Sequence, residues 1–133
     1  MIKHGYFIPF ELTPPSFRLG NNRLAKNQPN FVSEAVSDLL ELGLITEMSS
    51  PANVVNPLTV LFNSKEKGRL ILDLRHVNKH VPKRRFRIED WRAFLQYIVP
   101  DGFLFKFDMK PGYHHVEVAY PHKRFLKFAW PLD

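Results

Sequence analysis

Apolar positions along the chain follow two rhythms, one spaced for helices and one for strands. In "FVSEAVSDLLEL", residues 31–42, Phe31, Ala35 and Leu39 recur at i, i+4 and i+8, with Val32, Val36 and Leu40 beside them. That spacing predicts an amphipathic helix whose stripe packs into a core. Gly43 suits the left-handed position just past the helix end, from which Leu44 can fold back on Leu39. The rhythm then shortens. "VVNPLTVLF", residues 54–62, predicts a strand with an irregular or edge start at Pro57, which has no N–H to give a ladder. "NSKEKG" is a polar turn, and "RLILDLR" returns as a second strand of a β-hairpin. On the return strand Leu70, Leu72 and Leu74 share one face; Arg69, Ile71, Asp73 and Arg75 share the other.

Further on, "IEDWRAFLQYI" predicts another helix. Trp91, Phe94, Leu95 and Ile98 fall at i, i+3, i+4 and i+7, with Glu89 and Asp90 in the first turn, where carboxylates favour the helix dipole. Strands are expected at 103–107, "FLFKF", and at 124–130, "RFLKFAW". Residues 1–30, with four of the eleven prolines, read as an irregular N-terminal extension. The order of helix, hairpin, helix, strand, turn and strand implies an α+β fold with antiparallel pairing.

Composition narrows the function classes. At 133 residues, with 44% hydrophobic and 14% aromatic side chains, the chain can bury a core and is not a disordered tail. It has no cysteine, which removes disulfide and thiolate chemistry and fits an intracellular protein. The N-terminus shows no signal-peptide pattern, and no apolar run approaches the roughly 18 residues of a membrane-spanning helix, so no membrane partner is expected. The net charge of +6 points to a polyanionic partner such as nucleic acid. The densest cationic segment is "KHVPKRRFR", where Lys83, Arg84, Arg85 and Arg87 are candidate phosphate contacts; the same block would also serve as a nuclear localisation signal or a solvated face.

The stretch "FLFKFDMKPGYHHVEV" carries the chemistry. Phe103, Phe105 and Phe107 share one face of a strand, and Leu104, Lys106 and Asp108 the other. A carboxylate at the end of an apolar strand must find a cation or a donor. Lys106 or Lys110 could pair with it, or it could cap the following turn. Alternatively it is a Mg²⁺ ligand, since Mg²⁺ prefers hard oxygens from one or two carboxylates plus substrate phosphates. Pro111 and Gly112 turn the chain at once, which could bring Tyr113 back over the same place. An aromatic there could stack on a sugar and exclude a 2′-OH, unless Tyr113 is an ordinary core residue with its hydroxyl bonded.

Three segments in order, "NPLTVLFNSKEKGRLILDLRHVNK", "FKFDMKPGYHHVEV" and "RFLKFAW", resemble the fingers and first palm strands of a retroelement reverse transcriptase from about residue 31 to the end. "DLRHVNKHVPKRRFRIEDWR" and "GYHH" are most similar to the DIRS-like, tyrosine-recombinase retrotransposons. The resemblance implies a partial right-hand polymerase fold over 31–133 and an RNA-directed DNA polymerase that takes dNTPs on an RNA or DNA template-primer with two Mg²⁺. Asp108 then matches the first catalytic aspartate, with the Met109 carbonyl assisting the metal. Tyr113 matches the gate against ribonucleotides, and Arg69 the fingers arginine that contacts the incoming triphosphate through forked, charge-assisted bonds. Asp73, Arg75 and Asn78 match the surrounding motif, where structural pairing is expected.

Two departures shape the expectation. The family often has a lysine run at the fingertip, whereas this chain reads "LFNSKEKG", so Lys65 or Lys67 would have to substitute. The family also needs two further aspartates in a Tyr-x-Asp-Asp turn, yet after Asp108 this chain has only Asp133 and no Asp-Asp pair anywhere. One carboxylate holds two dications poorly against their repulsion. The expectation is therefore a partial polymerase, lacking the rest of its chain and inactive alone. The alternative is a non-catalytic, basic, nucleic-acid-binding remnant of a retroelement. His114, His115, Glu117 and His122 make a poor zinc set, because adjacent histidines on a strand face opposite ways.

Overall fold

The computed structural model describes residues 4–110 and 112–131. Mixed α and β structure with small sheets is what it shows: β1 (Phe17–Arg18), α1 (Arg23–Lys26), α2 (Pro29–Glu41), β2 (Val54–Val55), β3 (Leu58–Phe62), β4 (Gly68–Leu72), α3 (Arg75–Asn78), α4 (Trp91–Leu95), a 3-10 helix (Gly112–His115) and α5 (Tyr120–Lys123). The chain divides into two units. One takes in everything up to Pro82 and from Val116 onward; the other is Lys83–His115.

In the first unit, α2 forms where the periodicity placed it, starting two residues earlier and ending one earlier. Pro29 opens it, at a position where a missing N–H costs nothing. At its end Gly43 adopts φ 68°, its N–H bonds the Leu40 carbonyl (3.0 Å) and the Leu44 N–H bonds the Leu39 carbonyl (3.0 Å). Those two bonds make a Schellman stop that satisfies otherwise orphaned carbonyls. Val32 and Val36 are buried with Ala25 of α1 and with Leu58 and Val60 of β3; Phe31, Leu40, Leu70, Leu72, Phe128 and Trp130 pack around them.

The hairpin β3–β4 pairs antiparallel, Leu58 with Leu72 through Phe62 with Gly68. Gly68 lies under two aromatic rings. A Cβ there would stand 2.7 Å from both Phe31 and Phe62, whose ring centroids are 5.4 Å apart. The expected strand 54–62 is split at Asn56–Pro57. Asn56 turns away to bridge Phe128, its N–H on the Lys127 carbonyl (2.8 Å), and the proline leaves no N–H to continue β2. The return strand stops at Leu72, because Asp73 bends the chain: its N–H bonds the Pro57 carbonyl (2.9 Å) and its carboxylate accepts the Arg75 N–H (3.1 Å), which starts α3.

Residues 1–30 were expected to be irregular; among the described ones, from His4 on, the short β1, α1 and the first two residues of α2 interrupt otherwise irregular backbone. β1 lies parallel to β2, Phe17 opposite Val54. The Asn21 side chain accepts the Leu58 N–H (2.9 Å) and donates to the Ala129 carbonyl (2.9 Å), so one amide ties the start of β3 to the C-terminal segment. A second core joins Val54, Val77 and Phe125 under Phe10, Phe17 and Leu74. The strand expected at 124–130 reduces to the single bridge at Phe128. Its backbone is claimed one group at a time, by Asn56 and Asn21, rather than by a continuous ladder.

In the second unit the expected helix narrows to α4. Asp90 is its N-cap rather than a first-turn residue, accepting the N–H groups of Arg92 (3.0 Å) and Ala93 (3.2 Å). The bonds beyond it run three residues back, Tyr97 to Phe94 and Ile98 to Leu95, so the helix tightens and ends. Residues 103–107 form no strand. Among the described residues of this unit no second strand exists to supply a ladder, and an unpaired strand is not stable in water. Phe103, Phe105 and Phe107 stand exposed, and Phe105 stacks on Phe107 at 6.3 Å.

Candidate nucleotide and nucleic-acid interface

Arg69 sits on β4 directly opposite Leu61, on the hairpin face turned away from the core. The alternation that half-buries Leu70 and Leu72 leaves Arg69 exposed, as its spacing requires. The fingertip loop is organised by Asn63. Its side-chain oxygen accepts the N–H groups of Lys65 (3.0 Å) and Lys67 (2.9 Å), and Glu66 takes φ 55° to close the turn. Both lysines are thereby held by their backbone at an exposed tip.

Behind this face, Arg75 grips Asp73 with two guanidinium nitrogens, the shorter contact at 2.6 Å. The Arg75 hydrogen bonds hold the Asp73 carboxyl down to about 2, against desolvation that pushes the other way. The Asp73 side chain is 11% exposed and that of Arg75 83%. The pair borders a cleft of about 430 Å³ that Asn22, Pro57, His76 and Lys79 also line. This agrees with structural pairing for Asp73 and Arg75.

Asp108 and Tyr113 belong to the other unit. Both are exposed, and among the described residues no hydrogen bond or ion pair joins Asp108 to Lys106 or Lys110. Tyr113 lies in the 3-10 helix Gly112–His115 rather than on a strand, and Pro111, the first residue of the expected turn, lies outside the described residues. Met109 is exposed, and Lys83, Arg84, Arg85 and Arg87 occupy an irregular, fully exposed segment. Among the described residues no three His, Cys, Asp or Glu side chains come together in a metal-holding group. The described residues therefore bring together no set of carboxylates that would hold two metal ions.

The histidines separate. His114 and His115 lie in the 3-10 helix, so the strand argument about their faces does not apply. His122 sits in the first unit, where its Nδ1 accepts the Ile8 N–H (2.9 Å) and Phe7, Phe10 and Phe125 pack on its ring at 5.2–6.0 Å. Glu117 pairs with Lys123 at 2.8 Å, which lowers its carboxyl value.

Asn56 was missed by sequence reading. It is fully buried, and its amide donates to the carbonyls of Phe125 (2.9 Å) and Lys127 (3.0 Å). The signal was present: one amide inside the apolar run "VVNPL" must be bonded if buried.

No protein-family model matches the chain. Over 104 residues it is 23% identical to a protein of Cassava vein mosaic virus described as an enzymatic polyprotein. The likeness is distant and partial. The aligned region is 72% of this chain but only 16% of the polyprotein, so the chain spans a small part of its relative's length. No helix among the described residues is long and apolar enough to cross a membrane.

Proposed function

We propose that this chain is the fingers and opening palm portion of a retroelement RNA-directed DNA polymerase. The observation that carries the reading is the hairpin. Its core face is anchored by Leu70 and Leu72, while its open face presents Arg69 beside a tip bearing Lys65 and Lys67, a cationic surface suited to a triphosphate. The resemblance of the hairpin and of the Asp108–Tyr113 segment to reverse transcriptases supports it, as does the partial likeness to a viral enzymatic polyprotein. In the complete enzyme two Mg²⁺ would supply charge neutralisation and activation of the primer hydroxyl. Here Asp108 and the Met109 carbonyl would hold part of one ion. Tyr113 would exclude the ribose 2′-OH, and Arg69 with Lys65 or Lys67 would bind phosphate oxygens.

With one such carboxylate, the 133-residue chain does not extend a primer by itself. Primer extension on RNA and DNA templates tests this: no product is expected, and Mg²⁺-dependent product that vanishes in Asp108→Asn would contradict it. Arg69→Ala should weaken dNTP binding roughly 10-fold or more, the loss of a charge-assisted bond worth about 1.5–3 kcal/mol.

The second reading, a non-catalytic nucleic-acid-binding module, is favoured by the exposed basic segment Lys83–Arg87. Asp108→Asn separates the two. A binding module should hold oligonucleotides equally well or slightly better, whereas a metal-using site should lose Mg²⁺-dependent nucleotide binding.

A further inference from the structure

The segment 83–92 combines two features that soluble surfaces rarely bring together. Five cations, Lys83, Arg84, Arg85, Arg87 and Arg92, stand exposed within ten residues, against only Glu89 and Asp90. Two aromatic rings interrupt them: Phe86 is 81% exposed and Trp91 66%. Neither ring belongs to a core cluster. Trp91 is held at the first position of α4 by the Asp90 cap, and the Arg92 guanidinium lies 5.5 Å from its ring centroid. That leaves an exposed indole beside a cation, on a capped helix start.

We infer that residues 83–92 form a docking surface for single-stranded nucleic acid, with Phe86 and Trp91 as stacking platforms between cations that follow the phosphates. The inference rests on reading this segment as a nucleic-acid contact, and it names the strand state. Charge complementarity selects a polyanion. Exposed rings select unpaired bases, because duplex bases are already stacked and show only their edges. A guanidinium beside the indole suits the same ligand, since arginine too lies flat against bases.

The test uses the full chain in EDTA without dNTPs, so its outcome is independent of the Mg²⁺ and Asp108 chemistry proposed above. Fluorescence anisotropy follows a labelled oligothymidylate and a labelled duplex. The expected result is tighter binding of the single strand. Phe86→Ala and Trp91→Ala should each weaken it roughly 5- to 150-fold while leaving duplex affinity and the salt slope unchanged. Trp91→Phe should retain most of the affinity. Changing Lys83, Arg84, Arg85 and Arg87 to Gln should instead flatten the salt dependence by about 0.7 per cation removed. Both rings are exposed, so the variants should keep the wild-type circular dichroism spectrum. Aromatic variants that bind the single strand like wild type would overturn the inference and leave a plain electrostatic patch. Equal affinity for duplex and single strand would overturn it too. So would aromatic variants whose sole effect, by sedimentation, is on self-association, since the rings would then contact a second copy.

Discussion

Two polar side chains fix more of the first unit than their size suggests. Asn56 holds two carbonyls of the C-terminal segment while its own Oδ1 has no partner among the described residues. Removing the donor strands the Phe125 carbonyl, whereas the Lys127 carbonyl keeps the Asn56 backbone N–H, so Asn56→Ala should lower unfolding stability by about 1–2 kcal/mol, measured by urea titration. Asp73 makes a pH-dependent contribution. Its folded-state value, about 2, lies below the ordinary carboxylate value of 3.8. The stabilisation is therefore fully present above the unfolded value and is lost as pH falls toward about 2. Asp73→Asn should remove that acid-side slope between roughly pH 4 and 2, and lower neutral-pH stability by about 1 kcal/mol or less, because Arg75 faces solvent. Thermal melts across that range would show it. The resemblance implied structural pairing around Asp73, and Asp73 does pair with Arg75, two residues on. Sequence reading missed Asn56 because its partners lie about seventy residues away.

Elements whose stabilising contacts are local were legible. The α2 stripe, its glycine stop and the β3–β4 hairpin all follow from spacings within the segment itself. Strands whose partners are remote were not. The alternation at 103–107 survives only as the Phe105–Phe107 stack, and 124–130 keeps only the Phe128 bridge, since a ladder needs a neighbour that periodicity does not name. The hairpin also depends on a close approach invisible in sequence, Phe31 and Phe62 meeting over Gly68. Gly68→Ala should force a ring aside and lower stability by about 1–3 kcal/mol, with the heat-denaturation midpoint as readout. Gly43→Ala meets no atom within 4 Å, so any cost there reflects the positive φ alone.

At the scale of the whole molecule, the candidate residues fall in two units: Arg69, Lys65 and Lys67 in one, and Asp108, Met109, Tyr113 and the basic segment in the other. The residue types and their order were legible, because each motif is short and contiguous. Which of them the fold brings together was not, because that depends on contacts that no single motif encodes. The apolar residues of 103–107 stand in solvent, which is the state expected of a sheet-forming segment without strands beside it. The most direct test of the polymerase reading is equilibrium binding of a dNTP with and without Mg²⁺, comparing the wild-type chain with Asp108→Asn. The account predicts Mg²⁺-strengthened binding that the substitution abolishes. Binding that ignores Mg²⁺, or that Asp108→Asn leaves unchanged, would contradict it and leave a basic nucleic-acid-binding module.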